Sequence, residues 1–305
     1  MKKLVICLFF IFSAVSLGFS KQMDILLCFS DNYKFQAETL IMSLLSSKLP
    51  QEHYNINCFT PDIEEGKIQE LNGLVRRLDN NKSFILFHKV PLFKDIKKKS
   101  TSYASLRLLA PKYLKNTDKV IYLDTDMIVN GSLKELWDIN IGRYYFAGVI
   151  DTKKTRENFK NEMWEKFNIY EVENYINSGM LIINIKEIRK DLMSYYKLTL
   201  LPDVLADILP YPDQDIINKY FSDKILRIPR KWNWLCYDWG QAPDDTVIFH
   251  YAGPIKPWGN SRESWHLTQR VKDPNENIDL PHADLWHKYN DQLKKENGNY
   301  KGDSK

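Results

Sequence analysis

Residues 120–129 read VIYLDTDMIV. A strand-forming apolar run, Val120 to Leu123, meets two carboxylates one residue apart, Asp124 and Asp126, before apolar character resumes at Met127. A short run of this kind reads as a buried strand. In open parallel sheets, ligands bind beyond the carboxyl ends of the strands, which is where Asp124 stands. Two buried like charges are costly unless something neutralises them. Three readings are open at this point. The aspartates can sit in a solvated loop. One can cap the next helix, although Ser132 is the better cap candidate. Or both can hold a divalent cation, since hard cations take oxygen ligands. A bare Asp-x-Asp does not separate them.

Outward from this stretch the pattern is one of alternation. MDILLCFS (23–30) reads as a buried strand running into the polar cluster Ser30, Asp31, Asn32. Residues 35–49 carry Leu40, Leu44 and Leu45 at helical spacing. NINCFT (55–60) is a second strand, 63–78 a second amphipathic helix, and SFILFHKV (83–90) a third strand. A helix over 104–114 carries Arg107 and leads into the opening strand. Strands alternating with helices predict βαβ units and an α/β fold with a mostly parallel, doubly wound sheet. The second half is less regular. Strands are expected at 146–151 and 180–185, a polar helix over 156–167, and a turn into a helix over 211–221.

VIFHYAG (247–253) is a further apolar strand, and it runs into GPIKPWG. A neutral His250 would complete a mixed carboxylate and imidazole set suited to Mn²⁺. Gly253 would let the backbone approach a phosphate closely, and Lys256 offers that phosphate a cation. Taken alone, His250 is more often a satisfied core residue. The metal reading requires the two strand ends to meet.

Five motifs in this order carry a resemblance. They are MDILLCFSDNY (23–33), RLLAPKYLKNTDKVIYLDTDMIV (107–129), NSGMLIIN (177–184), YPDQDIIN (211–218) and HYAGPIKPW (250–258). Together they resemble the retaining glycosyltransferases of family 8, most of all bacterial enzymes that extend lipopolysaccharide or lipooligosaccharide. The resemblance implies a GT-A type fold with a nucleotide-binding first half and a mixed, acceptor-side second half. It implies that Asp124, Asp126 and His250 bind a divalent cation, Mn²⁺ or Mg²⁺. It implies that Lys256 and the Gly253 backbone hold the diphosphate of a UDP-sugar, with Asn32 and Tyr33 against the base and ribose. Arg107, Asp151, Asn177 and Asp213 would position the donor sugar, galactose or glucose. Asp213 and Gln214 stand as the catalytic candidates, with Gln214 close to the anomeric carbon. The family often has an acidic residue where Ser30 stands, and here a hydroxyl takes its place beside the base. The acceptor implied is a saccharide or lipid-linked glycan.

Two other functional classes compete. A metal-dependent phosphohydrolase can also use Asp-x-Asp with a histidine, but would supply more carboxylates for two metals. A non-catalytic nucleotide- or glycan-binding module would be expected to lose some of the ligand-type residues.

The totals fit a globular chain. Its 305 residues are 44% hydrophobic and 27% charged, enough for a substantial core. A net charge of +4 with no like-charge block beyond residues 97–99 does not indicate a nucleic-acid footprint. The 8 Trp and 17 Tyr are compatible with a sugar cleft and equally with an aromatic core. Cys28, Cys58 and Cys236 lack metal-ligand spacing and read as reduced or structural thiols.

The ends are set apart. Lys2 and Lys3, an apolar run over 4–12, and the small residues Gly18 and Ser20 make residues 1–22 a signal-like segment. A membrane anchor, or a true start at Met23 with a cytoplasmic, membrane-peripheral protein, are the alternatives. Nucleotide sugars are cytosolic in bacteria, so a cleaved leader would part a bacterial enzyme from its donor. Residues 23–281 are expected to form one domain, with a nucleotide-sugar half of about 23–130 and an acceptor half of about 131–281. Residues 282–305 read as a polar tail, its last dozen disordered. Lys294 and Lys295 admit contact with an anionic membrane surface, although a solvated tail is the simpler reading.

Overall fold

The computed structural model describes residues 21–92, 103–152, 172–199, 209, 211–253, 255–259 and 280–303. The signal-like residues 1–20 and the helix expected over 156–167 lie outside the described residues.

The large sheet has seven strands: β1 (Lys21–Cys28), β2 (Glu52–Phe59), β3 (Phe84–His88), β4 (Val120–Leu123), β6 (Phe146–Ile150), β7 (Ile176–Ile183) and β8 (Ile225–Arg227). Their spatial order is β3-β2-β1-β4-β7-β6-β8. Four of the six pairings are parallel, and the two that flank β7 are antiparallel. The sheet is therefore mostly parallel, as expected, and mixed in its second half. A smaller sheet holds β5 (Met127–Val129), β9 (Trp234–Leu235) and β10 (Ile248–His250) in the order β5-β10-β9. The described helices of eight residues or more are α1 (Lys34–Ser47), α2 (Glu65–Leu78), α3 (Leu192–Thr199), α4 (Pro212–Tyr220) and α5 (Ala283–Asp303).

Side chains alternate across a strand. Ile25, Leu27, Ile121 and Leu123 accordingly pack on one face with Leu40, Leu44, Leu71 and Leu74. Leu26, Val120 and Tyr122 pack on the other with Leu106, Leu108, Phe146 and Ile217. Both faces are covered, which is why these strands read as near-continuous apolar runs. Cys28, Cys58 and Cys236 are buried and unpaired, as read.

Three expectations change. The helix expected over 104–114 is interrupted: it is α-helical through residue 105, tightens to a 3₁₀ turn over Leu106–Leu109 and resumes as a short α-helix, Ala110–Tyr113. Pro111 lacks the amide that a continuous helix would need. The strand expected at 180–185 starts earlier, at Ile176, so residues 177–179 lie within the sheet. The polar tail is a helix over most of its length. In α5, Trp286, Tyr289 and Leu293 are spaced along one face and buried. The surrounding charge hides this stripe from a composition-based reading. Trp286 meets the rings of Phe35 and Trp258 at 5.7 and 5.5 Å between centroids. The Tyr289 hydroxyl donates to Asn130 Oδ1 at 2.8 Å, and Arg77 Nε to Glu296 Oε1 at 2.9 Å. Lys294 and Lys295 point to solvent. Among the described residues, no helix is long and apolar enough to cross a membrane.

Because α5 closes the core over α1, Trp286→Ala should destabilise the fold by about 3–5 kcal/mol. Denaturant unfolding measures this, and a loss below about 1 kcal/mol would mean that the helix is a surface appendage.

Candidate functional site

The chain leaves the large sheet at Leu123 and enters the small one at Met127. Residues 124–126 are thus the corner between two sheets. Strand β10 runs antiparallel to β5, with His250 opposite Met127, and the Tyr251 amide donates to the Asp126 carbonyl at 2.9 Å. The two strand ends therefore meet. His250 Nε2 lies 3.2 Å from Asp126 Oδ1 and 3.9 Å from Asp124 Oδ2. One ligand-type atom from each of the three residues lies within 4.8 Å of the others, the only such group among the described residues.

Strand β7 forms the floor. The Asp124 amide donates to the Gly179 carbonyl at 2.8 Å. A Cβ on Gly179 would overlap His250 Cε1 and stand 2.9 Å from Asp124 Oδ2. Only a glycine lets both ligand-type side chains lie over the strand.

Arg107 and Lys256 offset part of the negative charge at the corner. Arg107, 2% exposed, places Nη2 at 3.2 Å from Asp124 Oδ1 and 3.3 Å from Asp213 Oδ2. Its Nη1 donates to the Ser178 carbonyl, and its guanidinium lies 4.2 Å from the centre of the Tyr122 ring. The Tyr122 hydroxyl donates to Asp124 Oδ1, which leaves Oδ2 as the oxygen on the His250 side. Burial pushes the Asp124 carboxyl up, with Arg107 opposing. Burial acts the same way on Asp126, but Lys256 and His250 outweigh it and hold that carboxyl well below the usual range. Lys256 Nζ donates to Asp126 Oδ2 at 2.6 Å and to the Tyr251 carbonyl at 2.7 Å. Gly253 has φ +117°, a conformation that side chains rarely tolerate, and turns the chain between His250 and Lys256.

A second polar cluster adjoins the first. Asp213 and Gln214 lie in the first turn of α4, both buried. Gln214 Oε1 accepts from the Ser178 amide at 2.8 Å. Gln214 Nε2 donates to Asp151 Oδ2 and to the Tyr175 hydroxyl, each at 3.0 Å. Asp151 also accepts from the Thr152 amide and from Asn177 Nδ2. Beneath them the Tyr175 hydroxyl donates to Asp215 Oδ1 at 2.7 Å. Burial pushes Asp215 up to about 7, despite hydrogen bonds from Tyr175 and the Tyr211 amide.

Arg107, Asp124, Asp126, Asp151, Asn177, Asp213, Gln214, His250 and Lys256 thus form one connected cluster. Asn32 and Tyr33 stand at the same end of the sheet, exposed in the turn after β1 and outside the bonded network. Ser30, at that turn's start, is buried. The sequence reading passed over Tyr122, Tyr175, Ser178, Gly179, Asp215 and Asn233. Gly179 left a trace in the Asn-Ser-Gly of NSGMLIIN. Asn233, between two tryptophans, left none.

Two carboxylates and an imidazole at one point, over a glycine that no larger residue could replace, fit a divalent cation. Comparison with known proteins gives the family. A lipopolysaccharide 1,2-glucosyltransferase of Escherichia coli is 30% identical over 248 residues, 75% of this chain and 70% of that one. A lipopolysaccharide 1,3-galactosyltransferase of Salmonella typhimurium is 27% identical over 243 residues, 74% of this chain and 70% of its own. A relative from Haemophilus influenzae is 32% identical over 200 residues, and there this chain spans only 59% of the relative's length. The galactosyltransferase LgtC, solved with donor and acceptor sugar analogues, superposes with a TM-score of 0.69 at 21% identity. The match covers 89% of this chain and 96% of that one. That likeness establishes the expected GT-A type fold. The model of glycosyl transferase family 8 matches residues 24–262, most of the chain, and the chain belongs to that family.

Proposed function

We propose that this protein transfers a hexosyl group, galactose or glucose, from a UDP-sugar to a hydroxyl of a glycan or glycolipid acceptor, with retention at the anomeric carbon. The observation that carries the reading is the convergence of Asp124, Asp126 and His250 at one point beside Lys256. Glycosyl transfer from a nucleoside diphosphate breaks a C–O bond, and negative charge grows on the departing diphosphate. A divalent cation held by Asp124, Asp126 and His250 would supply Lewis-acid stabilisation of that charge. Lys256 adds a fixed positive charge on the same side. Arg107 keeps Asp124 and Asp213 in place by bridging them.

The surroundings of Gln214 bear on the route. A neutral amide is a weak nucleophile. Asp213 is engaged by Arg107 and Ser178, and Asp151 by Thr152, Asn177 and Gln214. No carboxylate of the cluster is poised for attack, which favours a front-face reaction. In that route the acceptor hydroxyl approaches on the side the diphosphate leaves, and the diphosphate takes its proton. The hydroxyls and carboxylates of this cluster suit the recognition of a neutral sugar, and relatives named for lipopolysaccharide glycosyl transfer support that donor and acceptor class.

The test is release of UDP from UDP-galactose and UDP-glucose, with and without Mn²⁺ and a lipooligosaccharide acceptor. Release that needs Mn²⁺ and rises with acceptor, giving a product of retained anomeric configuration by proton NMR, is expected. Metal-dependent release of inorganic phosphate or UMP would instead indicate a phosphohydrolase.

Three variants sharpen this. His250→Ala should lose most activity and raise the Mn²⁺ concentration that the remainder needs, and activity unchanged at saturating Mn²⁺ would remove His250 from the ligand set. Gly179→Ala should push His250 aside and weaken Mn²⁺ binding in titration calorimetry, with an overpacking cost of about 1–3 kcal/mol in stability. Lys256→Gln should weaken UDP binding by roughly 10- to 100-fold, the scale of a charge-assisted hydrogen bond, while the fold persists.

A further inference from the structure

Behind the His250 ring the corner is backed by a buried amide, that of Asn233. Asn233 follows a 3₁₀ turn, Arg230–Trp232, and precedes β9. It is fully buried and lies against the far side of the His250 ring, 2.9 Å from Nδ1 through its Oδ1. Its Nδ2 donates to Asn177 Oδ1 at 2.9 Å. The same Asn177 oxygen accepts from the Gly179 amide at 2.9 Å, and Asn177 Nδ2 faces Asp151.

In a chain of side-chain amides, each orientation depends on its neighbour, and only a group with a fixed role can set the direction. The Gly179 backbone amide is such a group, because it can only donate. The Asn177 atom facing it is therefore the oxygen. The Asn233 atom that meets this oxygen must donate, so it is the nitrogen. That turns the Asn233 oxygen toward His250, so Nδ1 must carry a proton to meet it. Nε2 then faces the two carboxylates, 3.2 Å from Asp126 Oδ1, and is the nitrogen whose lone pair a cation held there would take. A second backbone donor gives an independent check. The Ser178 amide fixes Gln214 Oε1, so Gln214 Nε2 points to Asp151, which serves as the acceptor for Asn177 too.

We propose that Asn233 is a positioning residue for the cation site. Acting with Asn177, it holds His250 in the Nδ1–H tautomer and presents Nε2 to the metal. The inference rests on the metal reading of Asp124, Asp126 and His250 and deepens it. Outer partners of this kind orient a ligating imidazole and raise its basicity, and their loss commonly costs 10- to 100-fold in metal affinity. Three consecutive residues of β7 would then orient both halves of the site. Asn177 and Gly179 set the direction on the metal side, and Ser178 sets it on the sugar side.

The first test needs no variant. Metal-free protein labelled with ¹⁵N-histidine is examined by long-range ¹H–¹⁵N correlation. His250 is assigned by comparison with His250→Gln. The expected pattern is a proton on Nδ1, and a ring protonated on Nε2 alone overturns the proposal. The second test is Mn²⁺ affinity without donor, read from the electron paramagnetic resonance signal of free Mn²⁺. Asn233→Leu, close in volume and without polar atoms, should bind Mn²⁺ about 10- to 100-fold more weakly. Asn233→Asp, which keeps an acceptor on Nδ1–H, should recover most of that affinity and the tautomer. Wild-type affinity in Asn233→Leu overturns the proposal. If Asn233→Leu does not fold, Asn233→Asp and the wild-type spectrum still decide. The two readings fail differently. A wild-type protein that takes up no Mn²⁺ overturns the metal site even with the Nδ1–H form present. A ring protonated on Nε2 alone in the metal-free protein overturns the role of Asn233 even where Mn²⁺ binds.

Discussion

The antiparallel pairing of β5 with β10 is the contact on which the candidate site depends. It places His250 opposite Met127 and ties the Tyr251 amide to the Asp126 carbonyl. Without that pairing, Asp124 and Asp126 would be two charges at the end of a core strand, opposed only by Arg107 and Tyr122. With it, an imidazole and the Lys256 ammonium reach the same corner, and the cost of confining two carboxylates is offset from three directions. The pairing is itself held by its surroundings. Residues 280–303 close over it, with the Tyr251 hydroxyl donating to the His282 carbonyl at 2.7 Å and the rings of Phe249 and His282 in contact.

The polar interior is economical in what orients it. Side-chain amides and imidazoles have two ends that can exchange roles, so a network made only of them has no preferred direction. Here the backbone of β7 provides one. Consecutive amides of Ser178 and Gly179 donate into Gln214 and Asn177, and the remaining donors and acceptors follow. The antiparallel run of β7 beside β4 matters for the same reason, because it brings the Gly179 backbone under Asp124 and His250 where no side chain fits. A mostly parallel sheet with one reversed strand thus provides both the carboxyl-end crevice and a backbone edge of fixed polarity within it.

Much of this was legible beforehand because it was written in local pattern. The strand at 120–123 and helices α1, α2 and α4 follow from apolar spacing and polar punctuation, and the likeness of five motifs named the ligand-type residues. What stayed hidden had no local mark. The face of α5 was masked by the charges around Trp286, Tyr289 and Leu293. Asn233 reads as one polar residue between two tryptophans, and nothing in WNW says that its amide meets an imidazole 17 residues away.

The sequence by itself determined the alternation of strands and helices, the position of Asp124 at a strand end, and the residue types a divalent cation and a diphosphate would want. Those are properties of neighbours along the chain, where spacing and propensity act. Only the tertiary structure decided that the two strand ends meet, that Gly179 lies beneath them, and that Asn233 and Asn177 give His250 a direction. Those are matters of register and of hydrogen-bond polarity between segments far apart in sequence, and no residue carries them alone.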